Sequence, residues 1–247
     1  KWATDKALEL DNRLAEAHAT LGGYKQDYER DFPGSEKEFK CAIELNPNSA
    51  TAHYFYAYLL FIIPGKLDEG IAEIRRACEL DPLSTVYITG MGLGLTFARR
   101  YNEAFHYYQK ALELDPHRFS TQLYLGLNYC GEENWDKAIA VLNTARKVFK
   151  GSPTLLGYLG YAFAKAGQNE NAFRVLAELS DNPKVSSYYK AVIYLGLSDN
   201  ESAFVHLEKA LAEHEPNLVW LNLTTFVDNV RDDPRFHSLL KKIGLPE

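Results

Sequence analysis

The sequence predicts an all-α protein, built as a right-handed α-solenoid (superhelix) of antiparallel helix pairs. A column of small residues recurs at steps of 35, 34, 34, 34 and 31 residues: Ser35, Gly70, Ala104, Ala138, Ala172 and Ala203. A second small column runs 12 or 13 residues ahead of it: Gly22, Ala57, Gly92, Gly126, Gly160 and Ala191. Repetition at such a period is typical of a solenoid, and solenoids usually hold a partner along an extended surface.

Residues at helical spacing identify each unit as two helices. Four residues after each member of the first column comes a bulky residue: Phe39, Ile74, Tyr108, Leu142, Leu176 and Leu207. Because residues three and four apart share one face of a helix, these columns define a packed face. The small columns let two helix backbones approach closely, and the bulky residues fill the space around the crossing. No run of alternating β-branched residues predicts a strand.

Prolines and turn-forming residues separate the helices. Pro47, Pro82 and Pro116 each follow Asn or Asp where a second helix is expected to end, because the residue before proline avoids the α conformation. The turns inside the pairs hold helix breakers or polar residues, as at Pro64-Gly65. Each unit is therefore expected to run as helix, inner turn, helix and outer turn.

These columns resemble the tetratricopeptide repeat family, and the fourth unit shows the pattern best. It carries Leu125, Gly126, Tyr129, Trp135, Ala138, Leu142 and Ala145 at the family's positions. The register predicts a half repeat at 1–14, six repeats at 15–47, 50–82, 85–116, 119–150, 153–181 and 184–213, and a C-terminal capping segment at 216–247. Because the chain opens on half a repeat and lacks an initiator Met, we expect a fragment of a longer protein.

The capping segment contains one predicted helix. It starts after Asp232-Asp233, with proline in its first turn, and has an apolar stripe of Phe236, Leu239, Leu240 and Ile243. The segment also resembles the end of a bacterial class in which such repeats form the C-terminal module of signalling proteins with a kinase, nucleotide cyclase or winged-helix front end. It departs from that class at Asp228-Asn229, where Asp-Pro is more usual.

Composition argues against several partners. The net charge of −6 argues against nucleic acid, because phosphate-binding surfaces are normally basic. No apolar stretch reaches the ~20 residues of a membrane-spanning helix, so we expect a cytoplasmic protein, although its parent chain could be tethered to a membrane. Cys41, Cys78 and Cys130 lack metal-type spacing, and free thiols are favoured over a disulfide between the first two.

No pattern of catalytic or metal-binding residues is evident. His18 and His53 occupy equivalent positions in neighbouring repeats, and stacking at roughly 10 Å keeps them from sharing one metal. The stretch from Gly90 to Gly94 lacks the Gly-Lys-Ser/Thr of a phosphate loop and falls inside a predicted helix. We therefore predict no enzyme activity, no cofactor and no metal.

The family resemblance implies that the first helix of each pair lines an inner wall. The register places nine apolar or aromatic residues there: Tyr54, Tyr58, Phe61, Leu93, Phe97, Leu123, Leu127, Tyr161 and Tyr188. A contiguous apolar surface on a folded protein usually marks a binding site. The Lys, Asn and Arg clamp that some members use to hold a C-terminal carboxylate is missing. The predicted function is therefore a scaffold that binds a peptide or helix of a partner protein in this groove, as a module of a larger signalling or regulatory protein.

Three alternatives stay open at this point. Neighbouring repeats could pack tightly enough to bury the same nine residues. The aromatic lining could serve a small-molecule sensor. The array could also be an oligomerisation arm, in which case the chain forms a homo-oligomer.

Overall fold

The protein is all-helical in a computed structural model that describes residues 2–180 and 186–244. Across these residues there are α-helices, one π-helical turn and two 3-10 segments, with no strand. The α-helices are α1 Trp2–Leu10, α2 Ala15–Tyr24, α3 Phe32–Leu45, α4 Ala50–Ile62, α5 Leu67–Leu80, α6 Thr85–Phe97, α7 Tyr101–Leu114, α8 Phe119–Gly131, α9 Trp135–Val148, α10 Pro153–Lys165, α11 Asn169–Ser180, α12 Ser187–Gly196, α13 Asn200–Ala212 and α14 Pro234–Ile243. The prediction of an all-α array of helix pairs is confirmed.

The chain divides into two compact units. Unit 1 comprises the described residues up to Ala98 together with Gly244, and unit 2 runs from Arg99 to Ile243. The third predicted repeat, 85–116, therefore has its first helix in unit 1 and its second helix in unit 2. The predicted boundaries at 1, 181, 184 and 247 lie outside the described residues.

The small columns mark helix crossings in both units. In unit 1, the Ser35 hydroxyl donates a hydrogen bond of 2.8 Å to the carbonyl of Gly22, so the two small residues of that repeat touch. A Cβ on Gly22 would lie 2.8 Å from the Phe39 ring. In unit 2, a Cβ on Gly126 would lie 2.5 Å from the Leu142 side chain. The bulky residue of the second helix therefore packs directly onto the small residue of the first, as the sequence predicts.

Each inner turn contains one residue in the left-handed conformation. These residues lie five positions before the members of the first small column, with φ between 52° and 76°: Arg30, Gly65, Arg99, Glu133, Gly167 and Ser198. Only two of the six are glycine, although this region favours glycine. The π-helical turn Lys25–Glu29 precedes Arg30 and takes up the extra residue of the first repeat. The turn geometry is thus more regular than the turn sequences.

The two equivalent histidines are structural. His18 Nδ1 lies 2.7 Å from a Glu38 carboxylate oxygen, and His53 Nδ1 lies 2.5 Å from one of Glu73. The opposite ring nitrogen of each lies within 3.1 Å of the carbonyl six residues earlier. Gln122, at the same repeat position, donates a 2.9 Å bond to the carbonyl of Pro116. In these three repeats the side chain at this position hydrogen-bonds to the outer turn before it. This contact explains why histidine occurs at the same position in two neighbouring repeats.

Other predicted chemistry can be compared with the described part of the chain. No group of three or more His, Cys, Asp and Glu side chains there is arranged to hold a metal. Within the same residues, no helix has the length and apolar character needed to cross a membrane. Cys41, Cys78 and Cys130 are free thiols. Burial raises the pKa of the Cys130 thiol to about 12, which makes it a packed core residue rather than a reactive one.

Candidate functional site

The nine predicted wall residues divide into two groups by exposure. Tyr54 and Tyr58 are half-buried. The other seven are buried, with at most 9% of their surface exposed: Phe61, Leu93, Phe97, Leu123, Leu127, Tyr161 and Tyr188. These seven are therefore packed against other side chains of the protein and do not form an open lining. Only the first two offer substantial surface to a partner.

Phe61 is buried because two glycines make room for it. A Cβ on Gly70 of α5 would lie 2.7 Å from the Phe61 ring, and one on Gly94 of α6 would lie 2.6 Å from it. The ring therefore fills the space between three consecutive helices, and it meets Phe97 edge-on at 6.2 Å between centroids. Gly94 lies outside both small columns. A glycine outside these columns can mark a place where a bulky side chain packs against a helix. Gly94 is therefore the sequence signal that could have shown Phe61 to be a core residue.

A connected group of aromatic rings remains partly exposed in unit 1. This aromatic strip comprises Tyr54, Phe55, Tyr58 and Tyr87. The Tyr54 ring centroid lies 4.7 Å from that of Tyr58, 5.4 Å from that of Phe55 and 5.3 Å from that of Tyr87. Phe55 is 40% exposed, and the Tyr87 hydroxyl lies 3.1 Å from that of Thr51. Sequence reasoning missed Phe55 and Tyr87 because neither falls at a wall position of the register.

The corresponding wall of unit 2 is covered by the chain itself. After α13 the chain forms two 3-10 segments, Pro216–Leu223 and Thr225–Val227. Phe226 from the second segment lies 4.5 Å from the Tyr161 ring centroid and 5.2 Å from that of Tyr158, both on α10. Phe226 is fully buried. Tyr161 is therefore closed off by an aromatic residue that lies outside the repeats.

An ion-pair cluster fixes the next turn of the same segment. Arg99 Nη2 donates to both carboxylate oxygens of Asp228 at 2.8 and 2.9 Å. Arg231 Nε donates to Asp228 at 2.8 Å, and its other nitrogens bond to Asn222 and to the carbonyl of Thr224. Burial works to raise the pKa of Asp228, but the hydrogen bonds from Arg99 and Arg231 outweigh it and hold the pKa below its usual value.

The start of the covering segment is anchored at a helix end. The buried carboxylate of Glu215 accepts bonds from the backbone N–H groups of Ser187 at 2.6 Å and Tyr188 at 3.3 Å, and from the Ser186 hydroxyl. It therefore satisfies two of the unpaired backbone donors at the N-terminus of α12. The pKa of the Tyr188 phenol is raised, and burial is the main cause, as expected for a core residue.

A small polar cavity lies beside the ion pairs. It has a volume of about 100 Å³, and Arg99, Glu133, Trp135, Lys165 and Asp228 are among its lining residues. The Lys165 ammonium lies 5.8 Å from the centroid of the Trp135 ring. Pockets for drug-sized ligands are ~300–1,000 Å³, so this space suits one side chain or a few waters.

Comparisons with known proteins also find helical repeats in this chain. Family models described as tetratricopeptide repeat match residues 22–85, 123–184 and 95–118, more than half of the chain. The BBSome complex member BBS4 of Bos taurus is 23% identical over 260 residues, which cover 88% of this chain and 50% of that protein. The chain spans half or less of the length of the curated relatives that it matches.

Two solved structures share the fold. The Cut9–Hcn1 hetero-tetramer of the APC/C aligns with a TM-score of 0.67 and 17% identity, over 97% of this chain and 45% of that chain. YrrB, described as a TPR protein with an unusual peptide-binding site, aligns with a TM-score of 0.51 and 17% identity, over 84% of this chain and 98% of that chain. At these identities the likeness is one of fold.

Proposed function

The chain belongs to the tetratricopeptide repeat family, and on that premise we propose that it is a non-catalytic interaction module that binds a peptide or helix of a partner protein. Proteins of this family generally mediate protein–protein interactions. The observation that carries the proposal is the aromatic strip of unit 1, in which three rings contact Tyr54 and all four rings of the strip remain at least partly exposed.

The chemistry of the strip favours an apolar segment with a few polar groups. Tyrosine offers a large rigid face and a hydroxyl that can donate or accept, which makes it a frequent interface anchor. Tyr54 and Tyr58 are one helical turn apart on α4, a separation of roughly 6 Å along the helix axis. A partner helix with apolar residues at i and i+4 has a matching spacing. YrrB, described as a TPR protein with an unusual peptide-binding site, supports this use of the fold.

The wider setting is part of the same proposal. The resemblance of the C-terminal segment to the end of bacterial signalling proteins favours a role as one module of a larger regulatory chain. No arrangement of nucleophile and base stood out in the sequence, so the work proposed for this module is binding. The expected cytoplasmic location remains a prediction.

The test is a peptide selection followed by matched variants. A display library of 15-residue helical peptides is selected on the whole chain, and enriched peptides are titrated against Tyr54→Ala, Tyr58→Ala and Tyr28→Ala. Tyr28 is a matched control because it is 78% exposed in unit 1 and lies outside the strip. We expect Tyr58→Ala to weaken binding by ~30-fold, or about 2 kcal/mol, and Tyr28→Ala to leave it unchanged. Equal affinity for all three variants would refute the strip as the binding site.

A further inference from the structure

We propose that residues 224–231 are an internal ligand of the inner wall of unit 2, and that the wall beneath them is a second docking site, for a peptide carrying Phe-x-Asp. This surface is separate from the aromatic strip, so the inference goes beyond the proposed function and does not depend on it.

The first support is the aromatic seat. The register predicts that Tyr161 faces a partner, and in the structure the ring that it faces is Phe226 of the same chain, at 4.5 Å between centroids. The Tyr158 ring also contacts Phe226, at 5.2 Å between centroids. Phenylalanine is among the aromatic residues enriched at protein interfaces, and a buried aromatic side chain in a pocket is a common interface anchor. The wall therefore has a formed pocket for one phenylalanine side chain.

The second support is the carboxylate contact two residues later. Arg99 binds both oxygens of Asp228, and such charge-assisted pairs give geometric specificity as well as energy. Arg99 has φ 58°, at the left-handed position of its inner turn. The same backbone conformation recurs in every inner turn, so the repeat, and not residues 224–231, determines where the Arg99 backbone lies. The arginine is therefore held where a carboxylate two residues after an anchoring phenylalanine can reach it.

The third support is the character of the segment. Residues 224–231 form a 3-10 turn and irregular backbone rather than a repeat helix, and side chains provide the contacts described with α10 and Arg99. Asn229 adds a bond to the carbonyl of Leu195 at 3.5 Å, at the end of α12. Glu215 anchors the chain before the segment, and α14 follows it. Tethering at both ends gives the segment an effective concentration on the order of mM, so an outside peptide has to compete with it.

The open cavity adds a preference for acidic peptides. Lys165 lines the cavity beside Asp228, and Glu133 lines it as well. Lys165 is exposed and lies over Trp135. A longer peptide with a second acidic residue near its Asp could pair with this ammonium, whereas the internal segment has Asn229 next in sequence. The docking site therefore favours an acidic residue where the peptide passes Lys165, and a peptide that approaches Glu133 instead would lose this preference.

The experiment uses a fluorescent peptide with the sequence of residues 221–231 and the whole chain. Binding is measured by fluorescence polarisation to the wild type, to Phe226→Ala/Asp228→Ala, and to that double variant with Arg99→Ala added. We expect the double variant to bind at least ~10-fold more tightly than the wild type, and Arg99→Ala to remove most of the gain. Peptides with Ala in place of Phe226 or Asp228 should lose binding, and Tyr58→Ala should have no effect. A folded double variant that binds no better than the wild type would overturn the proposal.

Amide hydrogen exchange provides a second test that does not require the double variant to fold. In Asp228→Asn we expect amides of 224–231 to exchange faster while those of α10 keep wild-type protection. This result supports a segment that detaches from an intact wall. Equal acceleration in the segment and in α10 would show that the two open as one core, and the proposal would then be wrong even if the double variant cannot be purified.

Discussion

Two tyrosines at the same predicted wall position, one in each unit, differ in what covers them. In unit 1, Tyr58 at a wall position is half-buried and belongs to a strip of aromatic rings with partly exposed members. In unit 2, Tyr161 at the same position of a later repeat is buried beneath Phe226. The two residues occupy equivalent places in the register. Whether such a tyrosine is surface or core therefore depends on residues outside the repeats, which no register position encodes.

The largest difference in stability is expected between two phenylalanine substitutions, one at Phe226 in unit 2 and one at Phe55 in unit 1. Phe226→Ala should lower the free energy of unfolding of unit 2 by ~3–5 kcal/mol, because the Phe226 side chain is fully buried. Phe55→Ala, on the 40% exposed ring of the strip, should cost less than ~1 kcal/mol. Urea unfolding followed by tyrosine fluorescence measures both. Similar losses would mean that the walls do not differ in packing.

The next effect concerns tyrosines at the matching wall position. Tyr161→Ala should destabilise unit 2 by ~2–4 kcal/mol, since it leaves a cavity under Phe226. Tyr58→Ala should change stability by about 1 kcal/mol or less and act mainly on partner binding. Thermal unfolding of the two variants beside the wild type provides the comparison. A larger loss of stability from Tyr58→Ala would place the strip in the core.

A smaller effect is expected at a strained inner turn. Ser198 has φ 61°, a conformation that costs non-glycine residues roughly 1–2 kcal/mol. Ser198→Gly should therefore raise the free energy of unfolding by about 1 kcal/mol. Ser198→Ala is the control and should give no gain, because alanine carries the same Cβ strain. An equal gain from both variants would point to loss of the serine hydroxyl rather than to relief of strain.

The smallest effect is a dependence of residues 224–231 in unit 2 on acid, through Asp228. Asp228 has its folded pKa lowered by Arg99 and Arg231. Its contribution to stability is therefore complete above its unfolded pKa, near ~4, and disappears as the pH falls through the lower folded value. Amide exchange at residues 224–231 should accelerate over that window relative to the intrinsic rate. In Asp228→Asn this pH dependence should vanish. The same dependence in the Asn variant would assign it to another group.

The repeats could be predicted because their signal is periodic. Gly22, Ser35 and Phe39 recur as a spacing, and the same spacing places them in contact in the structure. The left-handed turn residues are also periodic, but Arg99 and Glu133 do not look like turn formers, so only geometry identifies them.

The segment that covers Tyr161, residues 224–231, could not be predicted in this way. Phe226 and Asp228 follow no period, and 3-10 turns lack an amphipathic pattern that would show which face is buried. Their contacts with Tyr161 and Arg99 span 65 and 129 residues of sequence. The burial of Phe61 depends on Gly94, a small residue outside both columns, whose contact with the Phe61 ring only the structure shows.

Radical footprinting of tyrosine side chains tests the difference between the walls most directly. In the wild type, Tyr58 should be modified readily and Tyr161 should be protected. In Phe226→Ala, Tyr161 should become reactive while the rate at Tyr58 stays the same. Equal modification of Tyr58 and Tyr161 in the wild type, or continued protection of Tyr161 after Phe226 is removed, would contradict an accessible Tyr58 in unit 1 and a Tyr161 covered by Phe226 in unit 2.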